Sequence, residues 1–304
     1  MSKIAVIDCG TNTFHMSIAK IDPEGIVLPN ILFEKREFVY LFKETPKYIS
    51  ETSYSNALKI LASFKTIIDA HGDVIAQRFI GTAGLRSASN GIQFLTEAQE
   101  KLDINIELID GDREAQLIFR GVRAAINLMA YEERTISMDI GGGSVEYIIA
   151  EKETILWAKS YPIGLGVLLN HCEKAHDLSP TQQQELRDFL LENLTDLILA
   201  VKTFNPSTFI GVSGTFDVFE TFLAGTEAHS IQLNKVEDFY TKFVNMPLKE
   251  RKKEPLMPKN RAGLLAVALV LIKTSLDLIT PNKLLVSNYS LRQGLIYELF
   301  DQIN

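Results

Sequence analysis

One hairpin is written twice in this chain. "KIAVIDCGTNTFHMSIAKID", from Lys3, and "TISMDIGGGSVEYIIAEKE", from Thr135, align without a gap. Asp8 falls on Asp139, Gly10 on Gly141, Thr13 on Ser144 and Ile18 on Ile149. In both copies apolar, β-branched arms flank a turn of glycine and small polar residues, the pattern of a strand–turn–strand unit. A repeat of this period means one supersecondary unit used twice, so the chain is expected to contain two similar domains. Its 304 residues suit that number, at about 150 per domain.

Each copy continues in the same manner. An extended run "IVLPNILFEKREFVYL" follows the first hairpin, then a helical pattern from Ser53 to Ala70 with Leu58, Leu61, Phe64, Ile67 and Ile68 on one face. The strand-to-loop segment "DVIAQRFIGTAGLRSASN" leads to a helix near 88–102, the strand "INIELI" and a helix from about Asp112. The second half repeats the alternation, so the class is α/β. The expected division is 1–124 and 125–289, with the joint near Arg123–Glu133. The last helix, about 290–304, is expected to return to the first domain.

Charged residues make up 23% and the net charge is −7. That balance argues against nonspecific binding to nucleic acid or anionic membranes. Two cysteines, Cys9 and Cys172, are too few for a disulfide framework, and with no signal-peptide pattern they point to the cytoplasm. The apolar run Ala262–Ile272 falls short of the roughly 20 residues of a membrane span and reads as a buried helix. "RKK", Arg251–Lys253, reads as a solvated helix face.

Five stretches carry chemistry. "DCGTNT" (Asp8–Thr13) offers a backbone freed at Gly10, with the Thr11 and Thr13 hydroxyls as donors to phosphate oxygens, or it is a plain turn. "GTAGLR" places Arg86 where its two-pronged guanidinium could hold phosphate, or leaves it one surface arginine among many. In "IDGDREAQLIFRGV", Glu114 is either a general base or an acidic residue suited to the helix dipole. In "DIGGGSVE", Gly141, Gly142, Gly143 and Ser144 form a loop with neither the lysine nor the helix of a Walker motif. Asp139 and Glu146 flank it with hard oxygens suited to Mg²⁺. "GVSGT" (Gly211, Ser213, Gly214, Thr215) is a second small-residue nest. His15 stands where the second hairpin has Glu146.

In this order, the five stretches resemble the motifs of the Ppx/GppA family of exopolyphosphatases and guanosine pentaphosphate phosphohydrolases. "NRAGLLAVALVLI" and "VSNYSLRQGL" resemble its C-terminal segments. The resemblance implies two duplicated ribonuclease-H-like (actin-like ATPase) domains with a cleft between them. It implies that Glu114 is the catalytic base and that Asp139 and Glu146 are active-site carboxylates tied to Mg²⁺ or another divalent cation. Asp8, Gly10–Thr13, Arg86, Gly141–Ser144 and Gly211–Thr215 would bind phosphate. The substrate it implies is inorganic polyphosphate or, alternatively, the 5′ end of guanosine pentaphosphate, and it implies a homodimer. A kinase or ATPase of the same superfold and a non-catalytic sensor of phosphate-rich ligands are the competing classes. The chain departs from the family at Val167, Asn288, Ser290 and Gln293, positions expected to bear on substrate preference.

Overall fold

The computed structural model describes residues 2–20, 30–42, 47–126, 133–172, 176–225 and 229–303. Part of the expected joint, 127–132, lies outside them, as does 21–29, which holds the tail of the first hairpin and the start of the extended run. The chain divides into two compact units. One is Met1–Ala124 with Tyr289–Asn304, the other Ala125–Asn288.

The first unit runs β1 (Lys3–Cys9), β2 (Thr13–Lys20), β3 (Asn30–Phe38), α1 (Glu51–His71), β4 (Val74–Gly81), α2 (Ala83–Ser87), α3 (Gly91–Leu102), β5 (Ile106–Leu108) and α4 (Gly111–Ile126). Its sheet has the order β3-β2-β1-β4-β5. The first three strands are antiparallel hairpin neighbours, and β4 and β5 join in parallel. The second unit runs β6 (Thr135–Ile140), β7 (Val145–Glu151), β8 (Thr154–Tyr161), α5 (Leu165–His171), α6 (Pro180–Asn193), α7 (Thr195–Phe204), β9 (Thr208–Val212), α8 (Gly214–Leu223), β10 (Ser230–Ile231), α9 (Val236–Val244), α10 (Leu248–Arg251), α11 (Leu265–Ile279) and β11 (Lys283–Ser287). Its sheet, β10-β11-β9-β6-β7-β8, read from β8 inward, repeats the order and directions of the first and adds β10 at the edge. The duplicated α/β fold expected from the repeat is therefore present in both halves. A final helix, α12 (Leu291–Ile303), belongs to the first unit.

Strand alternation decides what each face of the first sheet does. Ala5, Ile7, Phe14, Met16 and Ile18 are buried in one core with Leu61 and Phe64 of α1 and Phe94 of α3. The opposite face carries Ile4 and Val6, also buried, and is crossed by α12. There Arg292 reaches Ser17 and, at 2.6 Å, Glu34. Two glycines let α12 and α4 touch backbone to backbone. A Cβ on Gly121 would collide with the Ser290 carbonyl, and one on Gly294 with the Leu117 carbonyl. Arg113 and Arg120 of α4 pair with Glu298 and Asp301 of α12. Ser290 and Gln293, two of the family departures, cap α12: the Ser290 N–H donates to Gln293 Oε1 at 3.0 Å.

In the second unit α11 is apolar almost all round and buried along its length, from Leu265 to Ile279. Among the described residues no helix is long and apolar enough to cross a membrane. The reading of Arg251–Lys253 needs correction. Lys252 and Lys253 are exposed, but Arg251 is fully buried. Its guanidinium donates to the His176 carbonyl and lies 3.4 Å from Asp177 Oδ1. Asp177 also caps the turn at Leu248, at 2.5 Å. A run of three cations hides this inward contact because only the partner, some 75 residues away in sequence, reveals it.

Candidate active site

The two hairpin turns have the same hydrogen-bond plan. The Gly10 N–H donates to the Thr13 carbonyl at 3.1 Å, and the Gly141 N–H to the Ser144 carbonyl at 2.9 Å. At both glycines a Cβ would press on that carbonyl at 3.0 Å, so each turn closes tightly because the side chain is absent. The carbonyls are then tied back. Those of Thr11 and Asn12 accept from Leu41, Val39 and Tyr40, and those of Gly141, Gly142 and Gly143 from Leu165, Gly166 and Gly164. A trans peptide points its N–H opposite to its C=O. The N–H groups of Asn12 and Thr13, and of Gly142 to Ser144, therefore point away from the tethering segments, as an anion nest requires. Glycines also hold each turn in place. Gly84 lies over Thr11, where a Cβ would sit 2.7 Å from its Cα, and Gly164 lies over the peptide before Ser144, 2.5 Å from its nitrogen.

Beside each turn, two residues face each other across the strands. Asp8 opposes His15, and Asp139 opposes Glu146. Directly opposed residues share a face with Cβ atoms about 4.5–5.5 Å apart. Burial and then the Asp8 neighbour push the Cys9 thiol up, which leaves it an inert core residue. Asp8 itself is half-buried, and its Oδ1, shut off from solvent, has no hydrogen-bond partner. Burial lifts its pKa to about 6, against the opposing pull of Arg292 and Arg36. Burial lowers His15 to about 2, helped by the same two arginines, so His15 is a neutral imidazole at physiological pH. In the second pair Glu146 is buried and accepts from Ser160 Oγ at 2.6 Å.

Glu114 sits in the first turn of α4, whose start is capped by Asp110: its Oδ1 accepts from the Arg113 N–H at 2.8 Å and its carbonyl from the Glu114 N–H at 3.0 Å. The cap is thus already supplied, and Glu114, 7% exposed, is turned inward. Arg86 lies 3.7 Å from Glu114 Oε2 and also donates to the Ile109 carbonyl. Arg86, expected on phosphate, is tied in this structure to the carboxylate of Glu114 and to the strand end before it. The helix beginning in "GTAGLR" is the five-residue α2, and the stretch supplies the packing glycine Gly84 as well as Arg86.

In "GVSGT", Gly211 makes room for the ring of Phe216, Thr215 is buried, and Ser213 starts α8 with φ of 83°. Ser213 Oγ donates to the Ile140 carbonyl at 3.2 Å, joining this nest to the end of β6 beside Asp139. Against Gly214 lies the guanidinium of Arg261, where any Cβ would overlap it. Sequence reading missed this arginine, which is 47 positions from Gly214. The only available signal was a lone cation at the head of the apolar run "AGLLAVALVLI".

Asp139 and Glu146 suit a divalent cation by donor type. Among the described residues no group of three or more His, Cys, Asp or Glu side chains could hold a metal. Two carboxylates, with water and phosphate oxygens completing the shell, are the usual provision for Mg²⁺. The partnerless buried Oδ1 of Asp8 marks a further polar position fit for a cation or its water.

Comparison with known proteins gives the family and the fold. The sequence profile of the Ppx/GppA phosphatase family matches residues 17–303. A putative exopolyphosphatase of Haemophilus influenzae is 28% identical over 222 residues, covering 73% of this chain and 67% of the relative. A guanosine-5′-triphosphate,3′-diphosphate pyrophosphatase of Aeromonas hydrophila is 26% identical, covering 97% of this chain and 59% of the relative. A bifunctional 3-dehydroquinate synthase/phosphatase of Fusobacterium nucleatum is 26% identical over 97% of this chain and 46% of its own length. The chain thus spans about half to two thirds of the curated relatives it matches. Among solved structures, an exopolyphosphatase from Cytophaga hutchinsonii superposes with a TM-score of 0.89 at 33% identity, covering 100% of this chain and 99% of that one. The Aquifex aeolicus family member, at 20% identity and a TM-score of 0.81, shares the fold over 100% of this chain and 99% of its own. On the motifs, the duplicated sheets and this full-length match, the chain belongs to the Ppx/GppA phosphatase family.

Proposed function

We propose that the protein hydrolyses the terminal phosphoanhydride bond of a polyphosphate chain and releases orthophosphate. The water oxygen bonds to the terminal phosphorus, the bridging P–O bond breaks, and the shortened chain leaves with that bond's electrons. Glu114 takes the water proton, and Arg86 fixes the orientation of its carboxylate. In the first unit the turn N–H groups at 12–13, and in the second those at 142–144 with Arg261 beside Gly214, each offer donors that offset negative charge on phosphate oxygens. Asp139 and Glu146 would hold Mg²⁺, which when bound supplies charge neutralisation on phosphate oxygens. The substrate read from the family is inorganic polyphosphate, with the 5′ end of guanosine pentaphosphate as the alternative. Both classes occur in the names of the relatives.

One observation carries the reading: Glu114 is buried in a helix turn whose cap is already filled. A dipole contact alone is worth at most about 1 kcal/mol, while taking a carboxylate out of water costs several. The placement makes sense if the carboxylate is needed for chemistry. Glu114→Gln should lower phosphate release from short polyphosphate by roughly 10²–10⁴-fold with the melting temperature nearly unchanged. Turnover within about threefold of wild type, well short of that range, would end the general-base role. Full wild-type activity in excess EDTA would end the metal role.

A further inference from the structure

Phe38 and Tyr40 stand beside the first turn with their rings stacked, centroids 5.4 Å apart and planes 18° from parallel. Both remain exposed, at 37% and 43%. Single exposed apolar side chains need no explanation, but this pair is held in place from several sides. Phe38 is the last residue of β3 and lies directly across from Thr13, so the two share a sheet face. On that face also lie His15, opposite Arg36, and Asp8, opposite His15. The Tyr40 N–H donates to the Asn12 carbonyl at 3.2 Å, and its carbonyl accepts from Ser53 Oγ of α1 at 3.0 Å. Its φ is 44°, a left-handed conformation that costs energy for a bulky residue and persists only where its surroundings enforce it. The backbone that orients one ring is therefore the backbone that ties back the oxyanion turn.

A bare phosphate chain has no use for an aromatic surface. A nucleobase does: stacking on aromatic side chains is tolerant of base identity and worth roughly a 5- to 150-fold gain in affinity per base. We propose that Phe38 and Tyr40 form a base-stacking subsite, and that the phosphate chain held by the Gly10–Thr13 turn is that of a nucleoside 5′-polyphosphate. The Tyr40 hydroxyl gives this platform a polar edge, and Arg36, two residues before Phe38 on the same face, adds a cation for phosphates near the sugar. This rests on the phosphoanhydride reading above and specifies its substrate.

The test is calorimetric binding of guanosine triphosphate and of inorganic triphosphate, which carry the same phosphates with and without a nucleoside. All proteins carry Glu114→Gln to stop turnover. With the rings intact, guanosine triphosphate binds the tighter, and in Phe38→Ser/Tyr40→Ser the ratio of the two affinities falls roughly 5- to 150-fold. Tyr40→Phe, which keeps the ring, retains the ratio. A ratio that moves less than about twofold, below any stacking loss, overturns the subsite. An unchanged ratio accompanied by a change in sedimentation does so as well, and assigns the rings to a protein–protein surface. Failure of the wild type to release phosphate from any substrate would sink the hydrolase reading while leaving the binding ratio to stand or fall by itself.

Discussion

Replacing Asp8 by asparagine should stabilise the first unit, and do so more as pH rises. Asp8 is half-buried with its Oδ1 shut off from solvent, and its pKa is raised from 3.8 to about 6, chiefly by desolvation. The folded state therefore holds this proton more tightly than the unfolded chain. Stability from Asp8 is fully present below the unfolded pKa of 3.8 and is lost as pH climbs through about 6. The shift of about two pH units, at about 1.4 kcal/mol each, makes the ionised carboxylate cost about 3 kcal/mol at pH 8 and about 1 kcal/mol at pH 4.5. Asparagine escapes that cost, although its amide inherits a site where Oδ1 finds no donor, which forfeits about 1 kcal/mol at every pH. The chain's single tryptophan, Trp157, lies in β8 of the other unit, so its fluorescence would report the wrong region. Amide hydrogen exchange of β1 and β2, read by mass spectrometry in EDTA and corrected for intrinsic rates, is the suitable assay. Relative to wild type, protection should increase by about 2 kcal/mol more at pH 8 than at pH 4.5. A difference that is flat with pH, or that grows toward acid, would refute the claim that Asp8 is a carboxylate ionised against its surroundings.

Arg86→Lys should lower turnover at least tenfold, because an ammonium cannot serve both the Glu114 carboxylate and the Ile109 carbonyl as the planar fork does. The control is Arg187→Lys, a surface pair with Asp277 at 2.9 Å, for which steady-state kinetics should show no change. Gly294→Ala should destabilise the protein by about 2 kcal/mol, since the new Cβ would strike the Leu117 carbonyl of α4. Denaturant melts would test this, and a loss under 0.5 kcal/mol, the range of ordinary surface changes, would mean that the helices are free to part.

The fold was legible because its evidence is local and repeated. The Asp–x–Gly turn with alternating apolar arms occurs twice, and the register Asp8–His15 recurs as Asp139–Glu146. Glu114 could be found by order of motifs but not weighed, because helix-start acids are common and only burial separates the two readings. Arg86 was legible as a cation among phosphate-loop residues, but its contact with Glu114 was not, because that partner is 28 positions away in sequence. Arg251 and Arg261 were misjudged or missed for one reason, that their contacts, His176 and Gly214, are remote in sequence. Phe38 and Tyr40 lie in a run legible only as extended, because exposure and ring stacking are not written in the sequence.

The first unit is closed by residues that the ribosome makes long after the rest of it. Its α4, which carries Glu114, lies backbone to backbone with α12 at Gly121 and Gly294, and everything from Ala125 to Asn288 is translated between them. At 5–20 residues per second that interval is about 10–30 s. During it, the apolar side of α4 and the Ile4–Val6 face of β1 wait without their cover, exposed to chaperones and to other nascent chains. The second unit, contiguous in sequence, can fold in the meantime. A nascent chain stalled before Tyr289 should therefore carry one finished half and one sticky half, with its proposed base not yet anchored.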